Sequence, residues 1–209
     1  MDRPEDLMIN GYMIWQERTG FRSGNEAVRL YEAIPPQRDK RIVELCAGSG
    51  AVALMLLASG KARRITTVEI RENAVALCRK SARENGCEDR MDIRCGDLRK
   101  ISDILFKESF DTVVVNPPFY PVGSGILPKD PDAAASKYEL YCTLDDVLAA
   151  AAHLLCEGGM LYMIHDVRRR KEILQKFQKY NFIPTDHKHC GADPAALFTA
   201  RKISKEGSL

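Results

Sequence analysis

The sequence has no Cys-x-x-Cys pair and no regular Cys/His spacing, although it carries seven cysteines, at positions 46, 78, 87, 95, 142, 156 and 190. Structural zinc sites are built from such pairs, so no metal site is expected. A long apolar run is also missing: the uncharged stretch Leu45 to Gly60 contains three glycines and is too short and broken to span a membrane. The start, Met1 to Asp6, is polar and acidic, without the basic-then-apolar pattern of a secretory leader, and the odd cysteine count then reads as reduced thiols in a cytoplasmic protein. Internal repeats are absent, and so is an excess of charge of one sign: 31 Lys+Arg against 29 Asp+Glu leave +2 at pH 7. That balance permits contact with an anion such as RNA without demanding it, so any basic surface is local. What remains is an ordinary globular composition, 45% hydrophobic and 29% charged in 209 residues, which suits one domain with a short extension.

From Arg41 onward, short apolar runs alternate with helical patterns, the signature of a doubly wound α/β fold with helices on both faces of a mostly parallel sheet. Strands are expected at 41–46, 65–69, 91–95, 110–115 and 160–165. Helices are expected at 51–59, 72–85, 98–106, 144–155 and 167–180. Thr143 and Asp166 are N-cap types before the last two helices, while Gly86 and Gly158-Gly159 read as closing the second and fourth. Two further strands, 184–190 and 196–202, joined by the turn 191–194, would form a C-terminal antiparallel hairpin and complete seven strands. Residues 1–39, with a helix at 25–34 ended by Pro35-Pro36, form an extension to a main domain at 40–209. The one long irregular segment, 120–142, has the length of a functional lid or a disordered loop.

The chain is organised around 111–120, where the β-branched run Thr112-Val113-Val114-Val115 enters Asn116-Pro117-Pro118-Phe119. Each proline fixes φ and lacks an N–H, and a residue before proline is pushed to extended geometry, so Asn116 is held rigidly at the end of a strand. The turn is rich in acceptors and poor in donors. A group with two N–H donors, an exocyclic amine or a carboxamide, fits between the Asn116 side-chain oxygen and the Pro117 carbonyl, with the Phe119 ring available to stack on a planar substrate. Read alone, the same four residues are a strand-ending turn.

In open α/β sheets, ligands bind beyond the carboxyl ends of the strands. After the first strand, Gly48 and Gly50 in Glu44-Leu45-Cys46-Ala47-Gly48-Ser49-Gly50 let the backbone approach a ligand at a helix N-terminus. The second strand ends in Glu69, placed to accept from both hydroxyls of a ribose, and the third leads to Gly96-Asp97, where a carboxylate could accept from an adenine amine. Gly48 to Ala53 also satisfies a dinucleotide fingerprint. A carboxylate at Glu44 would repel a pyrophosphate yet suit a cofactor with a sulfonium and an ammonium, so S-adenosylmethionine fits better than NAD.

Together, Val43 to Gly50, Val68-Glu69, Gly96-Asp97 and Asn116 to Phe119 resemble the class I S-adenosylmethionine methyltransferases that act on amino nitrogens. Upstream, Gly20-Phe21-Arg22-Ser23-Gly24-Asn25-Glu26-Ala27-Val28 is similar to a segment of the bacterial valine-tRNA adenine-N6 methyltransferases, and Arg201-Lys202 after the last strand resembles their ending. The resemblance implies cofactor contacts at Glu44, Cys46, Gly48, Gly50, Glu69, Ile70, Asp97, Leu98, Asn116 and Arg22, with the N-terminal extension covering that site. It implies catalysis by Asn116, Pro117, Pro118 and Phe119 on an RNA, most simply a tRNA adenine N6. Three positions depart from the pattern: Cys46 stands for a glycine, Glu26 for an aspartate, and Phe119 for the more usual tyrosine. Phe at that position also occurs in ribosomal-RNA guanine-N2 methyltransferases. Two other readings stay open, a protein glutamine N5-methyltransferase, whose carboxamide would use the same pocket, and a non-catalytic RNA-binding module. Arg168-Arg169-Arg170-Lys171, and the His187-Lys188-His189 run, could meet phosphates or be solvated faces.

Overall fold

The computed structural model describes residues 3–17, 24–189 and 194–204. Two short strands, β1 (Arg3–Asp6) and β2 (Met13–Gln16), form an antiparallel pair the sequence pattern had not announced. Its register pairs Pro4 with Trp15, and the hairpin is tied to a later helix by Asn85, which accepts from Met13 N–H at 2.8 Å and donates to Met13 O at 2.6 Å. Helix α1 (Asn25–Ala33) follows and ends where Ile34 turns extended before the two prolines.

The main sheet then begins. Its elements are β3 (Ile42–Leu45), α2 (Ala51–Ala58), β4 (Ile65–Glu69), α3 (Glu72–Glu84), β5 (Met91–Cys95), β6 (Phe110–Val115), α4 (Pro131–Lys137), α5 (Leu144–Leu154), β7 (Leu155–Asp166), α6 (Arg170–Lys179), β8 (Phe182–His189) and β9 (Ala195–Lys202). The strand order is β5-β4-β3-β6-β7-β9-β8, parallel except for β9, which runs antiparallel to both β7 and β8. This is the expected doubly wound sheet with its C-terminal hairpin.

Alternation along the strands splits the core into two layers. Val43, Leu45, Val113, Val115, Leu161 and Met163 face α5 and α6 through Leu148, Ile173 and Phe177. Ile42, Val114, Tyr162 and Ile164 face α1 and α2. Helix α2 is buried along all eight residues, which its sequence AVALMLLA allows because no polar side chain has to reach water.

Four local readings change. The helix expected at 98–106 is a 3-10 segment, Leu98–Asp103, kinked at Lys100, where φ −114° and ψ 33° leave the helical region. The Asp97 side chain caps its first turn by accepting from Arg99 N–H at 2.9 Å. Gly158 and Gly159 do not close α5; they lie inside β7, which starts at Leu155 directly after the helix, and Gly158 takes φ +77° there. The fifth helix is likewise shorter than expected, since 167–169 form a separate 3-10 turn capped by Asp166. The segment 120–142 is not uniformly irregular: Asp130 caps α4 by accepting from Ala133 N–H at 2.9 Å, Pro131 occupies the first turn, and a run of alanines carries the helix. The joining turn of the last hairpin, at 191–193, lies outside the described residues.

Candidate active site

The sheet reverses its winding between β3 and β6, and register places the two ends together: Leu45 is opposite Val115, and on the other side Leu45 is opposite Val68. The loops that follow β3, β4, β5 and β6 therefore converge at one carboxyl edge. They form a cleft lined by Glu44, Cys46, Gly48, Glu69, Ile70, Asp97, Leu98, Asn116 and Pro118. Gly50 and Pro117 are not among its lining residues, Phe119 lines a neighbouring depression, and Arg22 lies outside the described residues.

The loop after β3 has left-handed backbone at Cys46 (φ +52°), Gly48 (+56°) and Gly50 (+82°). Gly50 is the start of α2, and a Cβ there would sit 2.5 Å from Cys78 Sγ, so the close packing of α2 on α3 requires glycine. Cys46 adopts a conformation that suits the glycine of the resembled family, and its thiol is pushed up by its hydrogen bond with Cys142 and by burial.

Three acids of the cleft, Glu44, Glu69 and Asp97, are already engaged with the protein. Glu69 Oε2 accepts from Gly48 N–H at 2.8 Å, and Oε1 accepts from Arg71 N–H at 3.0 Å and Arg71 Nε at 3.1 Å. Asp97 accepts from Arg99 Nε and Nη2, the shortest contact being 2.6 Å, and that pairing holds its carboxyl below the usual range. Glu44 differs from the free carboxylate expected from its position. It is buried at 3% exposure, its Oε2 accepts from Ala53 N–H at 2.9 Å, and burial pushes it up to about 8, so at neutral pH it is mainly a neutral acid until a cation approaches.

The β6 side is different. Asn116 lines the cleft, and among the described residues its carboxamide has no hydrogen-bond partner. The turn that holds it is fixed from outside: Phe119 N–H donates to Lys137 O at 3.0 Å, and Phe119 O accepts from Arg169 Nη1 at 2.9 Å. Arg169 also binds Glu139 at 2.6 Å and Glu172 at 2.8 Å, which ties the turn to α6 and to the segment after α4. The Phe119 ring, expected to be free for a base, stacks on His165 with centroids 5.0 Å apart and planes at 23°. One face is thus taken.

His165, near the end of β7, is fully buried. Its Nδ1 accepts from Asp166 N–H at 2.8 Å, while Nε2 has no partner among the described residues. Burial first, and the Arg169 charge second, lower it to about 3, so the ring is neutral and the Nδ1 contact places its proton on Nε2. Arg71 was also missed; its signal was only its position two residues beyond the β4 acid. The cationic run 168–171 is used mainly within the protein, since Arg168 is paired with Asp166 and Arg169 with Glu139 and Glu172.

The lining fits a nucleoside bearing a sulfonium. Its acids sit at the ends of successive strands, and among the described residues the cleft's cation is Arg71, already paired, with no basic cradle for a pyrophosphate. The architecture is that of the Rossmann-like methyltransferases. The geranyl diphosphate C-methyltransferase of Streptomyces coelicolor, solved with S-adenosyl-L-homocysteine, superposes with a TM-score of 0.65 over 86% of this chain and 79% of its own, at 13% identity. Residues 25–190 match the sequence profile of the methyltransferase small domain, and the chain belongs to that family. It is an S-adenosylmethionine-dependent methyltransferase. Among named relatives, the tRNA1(Val) (adenine(37)-N6)-methyltransferase of Aeromonas hydrophila is 25% identical over 175 residues, 83% of this chain and 72% of that protein. The release factor glutamine methyltransferase of Streptomyces coelicolor is 33% identical over 171 residues, covering 78% of this chain but 53% of its own length. Among the described residues, no helix is long and apolar enough to cross a membrane, and no cluster of His, Cys, Asp or Glu could hold a metal ion.

Proposed function

We propose that this protein methylates the exocyclic amino group of a nucleobase, adenine N6 in a tRNA, in the cytoplasm. The observation that carries the reading is the Asn116 carboxamide at the end of β6, without a partner among the described residues, lining the cleft and followed by two prolines that remove competing donors. Glu69 would hold the ribose of the cofactor, Asp97 the adenine amine, Ile70 and Leu98 the adenine faces, and the 44–50 loop the methionine portion. When bound, S-adenosylmethionine supplies an electrophilic methyl group. Asn116 Oδ1 and Pro117 O accept from the target NH₂ and aim the nitrogen lone pair at that methyl, and the proton leaves to water after transfer. Phe119, backed by His165, offers its remaining face to a base swung out of its strand. Residues 1–39 act as an extension over the cofactor site, since Glu17 and Ala27 reach the cleft wall, and 40–209 form the catalytic domain.

A glutamine carboxamide presents the same pair of donors, and the 33% identity to the release-factor enzyme favours that as the second reading. Labelled methyl transfer into tRNA, ribosomal RNA and release factor separates the readings, followed by nucleoside mass spectrometry. N6-methyladenosine in tRNA is the expected product; N2-methylguanosine or methylglutamine as sole product overturns the adenine assignment.

A further inference from the structure

The cleft carries one charged side chain that joins three separate parts of the chain. Arg71 is only 13% exposed; it binds Glu69 through Nε at 3.1 Å, and its Nη1 stands 3.5 Å from Asp132 Oδ1 on α4 and 3.9 Å from Glu17 Oε2 after β2. Its Nη2 lies over Gly48, 3.7 Å from where a Cβ would be. The guanidinium therefore spans the cleft from the β4 acid to the 120–142 segment.

Counting lone pairs shows why this contact has to change. A carboxylate has about four acceptor positions. Glu69 uses one on Oε2 for Gly48 N–H and two on Oε1 for Arg71 N–H and Nε, which leaves one, on Oε2. A ribose diol donating with both hydroxyls needs two. The Gly48 and Arg71 backbone donors are fixed by the loop and by the start of α3, so the contact that can yield is Arg71 Nε.

We propose that Arg71 is a positioning residue that couples cofactor binding to the lid: a ribose on Glu69 releases Arg71 Nε, and the freed guanidinium closes on Asp132, drawing α4 over the bound cofactor. The proposal rests on Glu69 as the ribose acceptor. The present Nη1–Asp132 distance of 3.5 Å is long for a charge-assisted hydrogen bond, which leaves room for it to shorten. Asp132 is 37% exposed, so a partner with room to move is available near the N-terminal end of a short helix whose firm ties lie at its other end, where Lys137 O accepts from Phe119 and Tyr120 N–H and Tyr138 bridges Tyr120. Ordering α4 through a side chain that the ribose releases from Glu69 would make closure depend on an intact nucleoside.

Hydrogen exchange across 131–137, followed by mass spectrometry, tests this with saturating S-adenosylhomocysteine and with its 2′,3′-dideoxy analogue. In the wild type, S-adenosylhomocysteine should slow exchange in α4 roughly tenfold and the diol-less analogue less than about twofold. Asp132→Asn should bind S-adenosylhomocysteine within about fivefold of the wild type, as expected for losing one partly exposed ion pair, yet lose the protection. Asp132→Glu should restore it. Equal protection by the dideoxy analogue, unchanged protection in Asp132→Asn, or no protection in the wild type overturns the proposal. Calorimetry on Glu69→Ala tests the underlying reading separately: unchanged S-adenosylhomocysteine affinity would remove Glu69 as ribose acceptor, whatever the exchange data show.

Discussion

The two halves of the cleft hold their polar groups in opposite ways. On the β3–β4–β5 side, Glu44, Glu69 and Asp97 each have protein donors. On the β6–β7 side, the Asn116 carboxamide and His165 Nε2 have none among the described residues, although the backbone around them is braced by Arg169, Lys137 and the Phe119–His165 stack. The difference follows from what each half must do. A cofactor enters and leaves, so its acids can exchange internal partners for ligand hydroxyls at little net cost. A turn that aims a lone pair gains from being rigid in its backbone and empty at its functional atom, because no contact has to break when the substrate arrives.

Breaking the empty side should give the largest effect. Asn116→Ala is expected to lower kcat by roughly 10²–10³-fold, in line with loss of one preorganised polar group, while the calorimetric Kd for S-adenosylhomocysteine stays within about twofold. Equal loss in both would mean that Asn116 serves the cofactor half. Next is Gly50→Ala, which forces an L residue to φ +82° and drives its Cβ into Cys78; about 2–4 kcal/mol of stability should be lost in urea titrations, with the cleft's loop disrupted from behind. Glu69→Ala should weaken S-adenosylhomocysteine by about 1–3 kcal/mol and leave kcat at saturation nearly unchanged, the mirror image of Asn116→Ala.

The smallest effect concerns protons. Glu44 is raised in the folded protein from 4.5 to about 8, so between those values the folded state holds a proton that the unfolded chain has released, and stability falls as pH rises. His165 is lowered from 6.5 to about 3, so below 6.5 the unfolded chain binds the extra proton and stability falls as pH drops. The two oppose each other near pH 5 to 6. Glu44→Gln removes the first without touching the second: relative to the wild type it should gain ~1 kcal/mol between pH 6 and pH 7, read from denaturation midpoints. A constant difference across that interval would place Glu44 in a wetter site than its burial implies.

Much of the site was legible because its signals are local. A short run ending in a carboxylate, a glycine or an Asn-Pro turn states both the strand and the group at its end, which is why 65–69, 91–95 and 110–115 match the observed strands residue for residue. Glycine was less reliable out of context. Gly86 takes φ +59° in the turn just beyond α3, but Gly158, with the same freedom, lies inside a strand, since β7 pairs with both β6 and β9 and those ladders outweigh a local helix-stop signal. The short pair β1–β2 left no clear alternation because it is held by side chains of α3 far away in sequence.

By itself, then, the sequence determined the order of the seven main strands and of the helices between them apart from α4, the acids at the strand ends and the Asn-Pro-Pro-Phe turn, because each depends on neighbours a few residues away. Only the tertiary structure decided which of those groups are occupied. That Glu44 is a neutral acid, that Phe119 has one face on His165, and that Arg71 reaches both Glu69 and a helix 61 residues further along all depend on burial and on contacts between distant segments. Charge state and lone-pair occupancy are set by surroundings in space.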